Sequence, residues 1–426
     1  MLKQIEGSQG VAEAVALSRP QVVCAYPITP QTHIVEGVGA LVKAGTLKNC
    51  EFINVESEFA ALSVAIGASA AGARAYTATA SQGLLYMAEA VYNAAGLGLP
   101  IVMTVGNRAI GAPINIWNDH SDSMALKDAG WIQLHAETNQ EAADLHIQAF
   151  RLAEMLSCPV MVCVDGFILT HAFERVDIPA QEQVDEFLPP FDPVQQLDVA
   201  NPYSIGAMVG PEAFTEVRYL AHQKQMEALD SIPAVAADFA ARFERQSGGL
   251  VRPYRMEDAE TAVVALGSVN GTIKDVVDRL RETGEKIGCV SIVSFRPFPL
   301  AALHDLLSKA RRVVCVEKCL APGLGGVLAS NTRMALRGND TPVYTVIAGL
   351  GGRAITGASL GEVFGFAAKD ELDDLTFLDL NWDVVRRQMD RARETRHSGP
   401  IAEYLLKALN PGLVRRHPQQ GRQGNG

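Results

Sequence analysis

Two glutamates, Glu56 and Glu58, stand at the junction between "FINV" and "SEFAALSVAIGASAAGA". The first segment reads as a strand ending near Val55, the second as a helix of small apolar residues. Helical spacing puts Glu58, Ala61, Leu62 and Ala65 near one face. A carboxylate at a helix start is ordinarily stabilised by the helix dipole, which is a sufficient structural reason for an acid here. The Ala, Ser and Gly neighbours point further. A carboxyl group held among them is desolvated, which favours its protonated form and suits an acid or a hydrogen-bond partner for a ligand.

Four other segments carry polar groups at turns. In "TATASQGLLYMAEA", Ser81, Gln82 and Gly83 open a helix whose N–H groups could hold an anion or a polar ligand edge, although an ordinary serine cap explains them equally. In "VGNRAIGAPINIWNDHSDSMAL", Arg108 follows an apolar strand, at the sheet edge where open α/β folds bind ligands. A guanidinium fork suits a substrate carboxylate; a surface salt bridge is the plainer role. His120, between Asp119 and Asp122, reads as a loop histidine bonded to one of those acids. Two acids and one histidine are a poor zinc set, so no metal is assigned. In "AYPITPQTH", Pro27 and Pro30 restrict Tyr26 and Thr29 to extended backbone, and Thr29 before Pro30 is a good helix start. Together they fix where the Thr29 hydroxyl points. "CLAPGLGGVLAS" has GxGG rather than GxGxxG spacing and no Walker lysine, so it reads as a structural or subunit-contact loop.

The elements that must position these residues alternate. "QVVCAY", "ARAYTAT", "LPIVMTVGN" and "PVMVCVDGF" read as buried strands, separated by Ala-rich helices. That alternation predicts a doubly wound, mainly parallel α/β sheet. A proline-rich connector follows from about 177 to 215. "TEVRYLAHQKQMEALDSIPAVAADFAARFERQSGG" then reads as one or two helices ending at Gly248–Gly249. A smaller α/β unit starts near Glu260 and ends near 360. The remainder is polar, with a solvated or subunit-contact helix around Trp382 and a tail, "RRHPQQGRQGNG", that reads as disordered.

With 426 residues, two or three domains are expected. The net charge of −11 argues against a nucleic-acid partner. With no long apolar run and no leader character, the chain reads as cytoplasmic, with no membrane partner. Seven scattered cysteines with no CxxC read as buried, reduced thiols and exclude an iron–sulfur ligand run.

Taken together, "YPITP", "VESEFAALSVAIGASAAGARAYTATASQGL", "NRAIGAPINIWNDHSDSM", "GWIQLHAETNQEAADL" and "PVMVCVDGFILTH" resemble the alpha subunit of the 2-oxoacid:ferredoxin oxidoreductase family, of the pyruvate:ferredoxin oxidoreductase kind, from about residue 5 to 355. The resemblance implies a pyrimidine-binding domain for thiamine diphosphate over 1–240, a transketolase C-terminal-like domain over 258–360, and an extension over 361–426. It implies that Glu58, with Glu56 as the next choice, serves the aminopyrimidine ring of thiamine diphosphate, promoting the imino tautomer through which the cofactor becomes nucleophilic. It implies that Thr29 and Arg108 bind the substrate near its keto group and at its carboxylate, and that Pro27, Ile28, Ser81, Gln82 and Gly83 line the cofactor pocket. The family's GDG…N motif for magnesium and diphosphate is absent, Val164 replacing the first glycine in "CVDGF". The resemblance therefore implies a heteromer. A beta subunit would carry the diphosphate half and Mg2+, iron–sulfur and gamma-type subunits or domains the 4Fe-4S clusters. Coenzyme A, ferredoxin and a small 2-oxoacid, pyruvate first, would be the reactants. A branched-chain or other 2-oxoacid, or a scaffold subunit without chemistry, remain the alternatives. An NAD-linked 2-oxoacid dehydrogenase lacks its dinucleotide fingerprint here.

Overall fold

The apolar runs between the helices form strands whose carboxyl ends share one edge. The computed structural model describes residues 1–394 and 401–410. In it, Val22–Ala25, Glu51–Asn54, Ala75–Thr79, Val102–Asn107, Ile132–His135 and Val160–Asp165 lie parallel in one sheet. Their spatial order is 132–135, 160–165, 102–107, 75–79, 22–25, 51–54. Helices cover both faces. Gly7–Leu17, Thr32–Lys43 and Asn139–Leu156 bury Val11, Ile34 and Phe150 on one side, while Glu58–Ala70 and Ala88–Gly96 bury Leu62 and Val91 on the other. This is the doubly wound arrangement that the strand–helix alternation predicts.

A second, six-stranded sheet runs in the order 375–377, 343–347, 312–317, 261–266, 287–292, 251–254, with only the last pair antiparallel. The segment "VSIVSFRPFP" reads as one strand of this unit but serves both. Ile287–Ile292 belongs to the second sheet, and Ser294–Arg296 turns to pair antiparallel with Ile132–His135 at the edge of the first. That edge is thus capped by a short strand contributed by the segment that leaves the second sheet, which covers the pairing surface of Ile132–His135.

"QGLLYMAEAVYNAAG" forms two helices, Ser81–Tyr86 and Ala88–Gly96, broken at Met87. The stretch after the connector is one helix, Phe214–Phe243, which continues through Pro233. It stops short of the glycine pair because Phe239 and Phe243 stack at 4.2 Å and meet Phe187, and Arg245 pairs with Asp144 at 2.7 Å. Tertiary packing rather than glycine sets its end.

Met1–Leu378 forms one compact unit and Asp379–Gly426 another. In the second, Trp382–Glu394 and Ile401–Leu409 are helices, and Arg391 lies over the Tyr404 ring at 3.4 Å. The tail from 411 lies outside the described residues. No helix among the described residues is long and apolar enough to cross a membrane. All seven cysteines are free, and burial pushes the Cys24 thiol up to about 11 and those of Cys158, Cys289, Cys315 and Cys319 up to about 12.

Candidate functional site

Four neighbouring parallel strands deliver the candidate residues to one edge. Val22–Ala25 leads to Thr29, Glu51–Asn54 to Glu58, Ala75–Thr79 to Ser81, and Val102–Asn107 to Arg108. Right-handed crossovers always return to the same sheet edge, so residues far apart in sequence meet there.

The structure separates the two glutamates. Ser57 caps the helix through the Ala60 N–H, at 3.2 Å, so the dipole's donors are met by serine rather than by either acid. Glu56 is exposed and Glu58 is buried, 7% accessible. Among the described residues, nothing hydrogen-bonds or ion-pairs with the Glu58 carboxylate. Its place is set by Gly83, where an added methyl group would sit 2.6 Å from Glu58 Oε1 and 2.7 Å from Thr79 Oγ1. A side chain at 83 would displace the Glu58 carboxylate or the Thr79 hydroxyl. The buried Thr77 and Thr79 hydroxyls also have no hydrogen-bond partner among the described residues. Buried polar groups without partners are rare and call for an explanation.

Ser81 adopts φ +50°, a strained conformation for a serine. Its N–H donates to Asp122 Oδ2 at 2.9 Å, and its hydroxyl donates to the Ala109 carbonyl at 2.5 Å and lies against the Gln82 amide. The Gln82 amide lies against Gly111, where a methyl group would come within 2.6 Å of Nε2. The Ser81–Gln82–Gly83 turn is thus locked onto the segment after Arg108.

Arg108 is buried and makes no ion pair among the described residues, so a surface salt bridge does not account for it. Nε donates to the Asn115 carbonyl at 2.9 Å and Nη1 to the Thr29 carbonyl at 3.0 Å. Burial pulls the guanidinium below its ordinary value, opposed by the charge of Asp122. Thr29 and Pro27 are exposed, and Ile28 is half-buried. Helix Thr32–Lys43 starts only at Thr32, with Gln31 as its first flanking residue, so Thr29 is not its cap. The buried Gln31 instead ties the turn down, donating to the Tyr26 carbonyl at 2.9 Å and the Ala78 carbonyl at 3.3 Å.

Two functional neighbours escape a reading of the sequence alone. Asp122 is fully buried, and its carboxylate accepts the N–H groups of Ser81, Arg108 (3.0 Å) and Ser123 and the Asn107 amide (2.8 Å). Burial pushes it up to about 6 despite those four donors. One carboxylate therefore sets the spacing of the Ser81 turn and the Arg108 strand end. His120 bonds to neither neighbouring acid. Its Nε2 meets Asp165 Oδ1 at 2.7 Å, while Lys318 and Ser268 reach Asp165 Oδ2 at 2.8 and 2.5 Å. Burial alone would raise the Asp165 carboxyl, but Lys318 and His120 hold it well below the usual range. The "VDG" aspartate is thus committed to joining the two sheets. Asp122 and His120 lie in the polar run Asn118–Ser123, where no local pattern marks either role.

The Gly-rich loop is likewise self-occupied. Glu317 accepts the N–H groups of Leu328 and Ala329, at 2.7 and 3.1 Å, at the start of helix Val327–Ala335. The chain's own carboxylate fills the position a phosphate would take, in keeping with a structural loop.

Residues 13–237 match the family described as "Pyruvate flavodoxin/ferredoxin oxidoreductase, thiamine diP-bdg", and 259–360 match "Pyruvate:ferredoxin oxidoreductase core domain II". The chain is 45% identical over 390 residues to pyruvate synthase subunit PorA of Methanosarcina barkeri, covering 89% of this chain and 97% of that one. It is 40% identical over 357 residues to ketoisovalerate oxidoreductase subunit VorA of Pyrococcus abyssi, covering 83% and 90%. Among solved structures, the 2-oxoglutarate:ferredoxin oxidoreductase of Magnetococcus marinus has the same fold, with a TM-score of 0.67 and 19% identity; the match covers 87% of this chain and spans 65% of that one. The sheet-edge cluster of Thr29, Glu58, Ser81 and Arg108 lies within the thiamine-diphosphate-binding match, and the chain belongs to the pyruvate:ferredoxin oxidoreductase family.

Proposed function

We propose that this chain is the catalytic alpha subunit of a heteromeric 2-oxoacid:ferredoxin oxidoreductase that decarboxylates pyruvate oxidatively with coenzyme A, giving acetyl-CoA, CO2 and reduced ferredoxin, or runs the reverse. The observation that carries this reading is the placement on one sheet edge of a carboxylate on a buried residue, Glu58, and a buried guanidinium, Arg108, neither of them in an ion pair among the described residues.

These groups fit thiamine diphosphate and a 2-oxoacid. When bound, the cofactor supplies the carbon nucleophile and electron sink for decarboxylation. Glu58 holds or releases a proton at the pyrimidine ring, in a pocket kept open by Gly83 and lined by Pro27, Ile28, Ser81 and Gln82. Arg108 binds the substrate carboxylate, and burial strengthens that attraction. Its bond to the Thr29 carbonyl fixes both groups relative to each other. Residues 1–240 serve as the pyrimidine-binding domain, 258–360 as the transketolase C-terminal-like domain, and 361–426 as an extension for subunit contact. Partner chains supply Mg2+ and the diphosphate half of the site, and the 4Fe-4S clusters.

Reassembly with partner subunits tests this. Dye reduction that requires both pyruvate and coenzyme A is expected. Faster turnover of 2-ketoisovalerate would favour the branched-chain reading. A complex whose affinity for pyruvate is unchanged in Arg108→Ala would favour a scaffold role.

A further inference from the structure

Beside the Thr29–Pro30–Gln31 turn, three side chains from distant parts of the sequence converge. Glu6 ends the strand Leu2–Glu6, His33 lies in the first turn of helix Thr32–Lys43, and His171 sits in the turn before the strand Phe173–Asp177. Each can place one ligand atom within 4.8 Å of the other two, and they are the one such group among the described residues. Glu6 Oε1 and His33 Nδ1 are 2.7 Å apart, and the His33 and His171 rings lie 4.7 Å apart, tilted by 35°.

The frame around them is rigid. Thr170 Oγ1 bonds His171 Nδ1 at 2.7 Å and also accepts the Phe167 N–H at 2.8 Å. Ser8 N–H and hydroxyl both donate to the Thr170 carbonyl, at 2.9 and 2.7 Å, pinning this turn to the strand that carries Glu6. Phe167 packs on the His171 ring at 4.7 Å. A hydrogen bond to one imidazole nitrogen is the usual means of orienting the other toward an ion.

We propose that Glu6, His33 and His171 form a binding site for a divalent first-row transition ion, with zinc the best match to the donors. Two imidazoles and a carboxylate suit zinc, with a water completing four ligands. Ligand bonds of about 2.0–2.2 Å require side-chain rotations in which the 2.7 Å Glu6–His33 hydrogen bond gives way to the ion. His33 is exposed and the other two half-buried, which leaves an entry path and room for the water. The ion would cross-link the first strand, the 166–172 turn and the helix that follows the Thr29–Pro30–Gln31 turn. Its effect is structural support for the substrate-binding turn rather than chemistry. A simple Glu6–His33 ion pair is the competing account.

The test is titration of untagged, chelator-treated full-length chain with zinc chloride, followed by calorimetry and thermal melting. One zinc per chain and a raised melting temperature are expected. His33→Ala and His171→Ala should each weaken binding by more than about tenfold, since even outer-shell partners cost that much. His222→Ala, at an exposed histidine on the Phe214–Phe243 helix, should leave binding unchanged. Cobalt(II) on the unmodified chain gives a readout independent of the variants, with the intense visible bands of four-coordinate nitrogen and oxygen ligation expected. No saturable zinc binding, binding by both histidine variants equal to that of the unmodified chain, or thiolate charge-transfer bands with cobalt would each overturn the proposal.

Discussion

Arg108 Nη1 donates to the main-chain carbonyl of Thr29 at 3.0 Å. The bond joins the ends of two strands that are not neighbours in the sheet, since Ala75–Thr79 lies between them. It leaves the rest of the guanidinium for a substrate carboxylate and fixes the distance between that charge and the Thr29 turn. Lysine at 108 would keep the charge but could not make this bond, the Asn115 bond and a carboxylate contact together. Arg108→Lys is expected to lower kcat/KM for the 2-oxoacid by about 100-fold, mainly through KM, as for loss of one to two charge-assisted hydrogen bonds. Steady-state kinetics of the reassembled complex check this.

Gly83→Ala tests the space that Glu58 occupies. The new methyl group would lie 2.6 Å from Glu58 Oε1, closer than any contact tolerates, and 2.7 Å from Thr79 Oγ1. Gly83 lies inside helix Ser81–Tyr86, where alanine is otherwise the better helix former. The variant is expected to fold and assemble yet lose at least about tenfold in thiamine diphosphate affinity or turnover, the scale of a displaced catalytic group. Cofactor titration of the apo-complex measures it.

Asp122 makes the activity pH-dependent in a definite direction. Its buried carboxyl is pushed up to about 6, so it takes a proton as pH falls through that value. The protonated form is a poorer acceptor for the Ser81 and Arg108 N–H groups, and the two turns lose their common anchor. kcat/KM is expected to fall on the acid side with a midpoint near 6. Asp122→Asn places an NH2 among four donors and should reduce activity across the range while flattening that acid limb. A pH–rate profile of both proteins decides it.

Glu317 governs stability rather than activity. Burial raises its carboxyl from 4.5 to about 7, against the helix N–H groups that favour the ion. Between those values the folded chain holds the proton and the unfolded chain does not. The stabilising contribution is therefore complete below pH 4.5 and lost as pH rises toward 7, by about 3 kcal/mol at most. Glu317→Gln removes the dependence. The melting temperature of the unmodified chain, relative to this variant, should fall from pH 4.5 to 7 and level off above.

Much of this arrangement is legible in the sequence, and the reasons for the gaps are physical. Buried strands such as Val102–Asn107 and Val160–Asp165 are continuous apolar runs, so the first sheet and its ligand-binding edge can be read directly. Glu58, Ser81 and Arg108 fall at strand ends, where local pattern is informative. Asp122 and Asp165 are different. Apart from the adjacent Ser123, their partners lie 14 to 153 residues away, so nothing local distinguishes them from loop acids. Ser294–Arg296 is three residues long and changes sheets, which no periodicity records. Helix Phe214–Phe243 passes its proline because the aromatic cluster beyond it outweighs one lost donor. The residue pattern alone leaves Glu56 and Glu58 level; the family resemblance favours Glu58, and burial separates the two, one inside and the other in water.

The central claim is that the carboxylate of the buried residue Glu58, unpaired among the described residues, serves the cofactor. The most direct measurement is 2-oxoacid- and coenzyme-A-dependent dye reduction by the reassembled complex carrying Glu58→Gln. Glutamine keeps the size that Gly83 accommodates but cannot exchange a proton. Loss of at least about 100-fold in kcat, with subunit assembly intact, is the predicted result, on the scale of a general acid–base contribution. Activity equal to that of the unmodified complex would contradict the account.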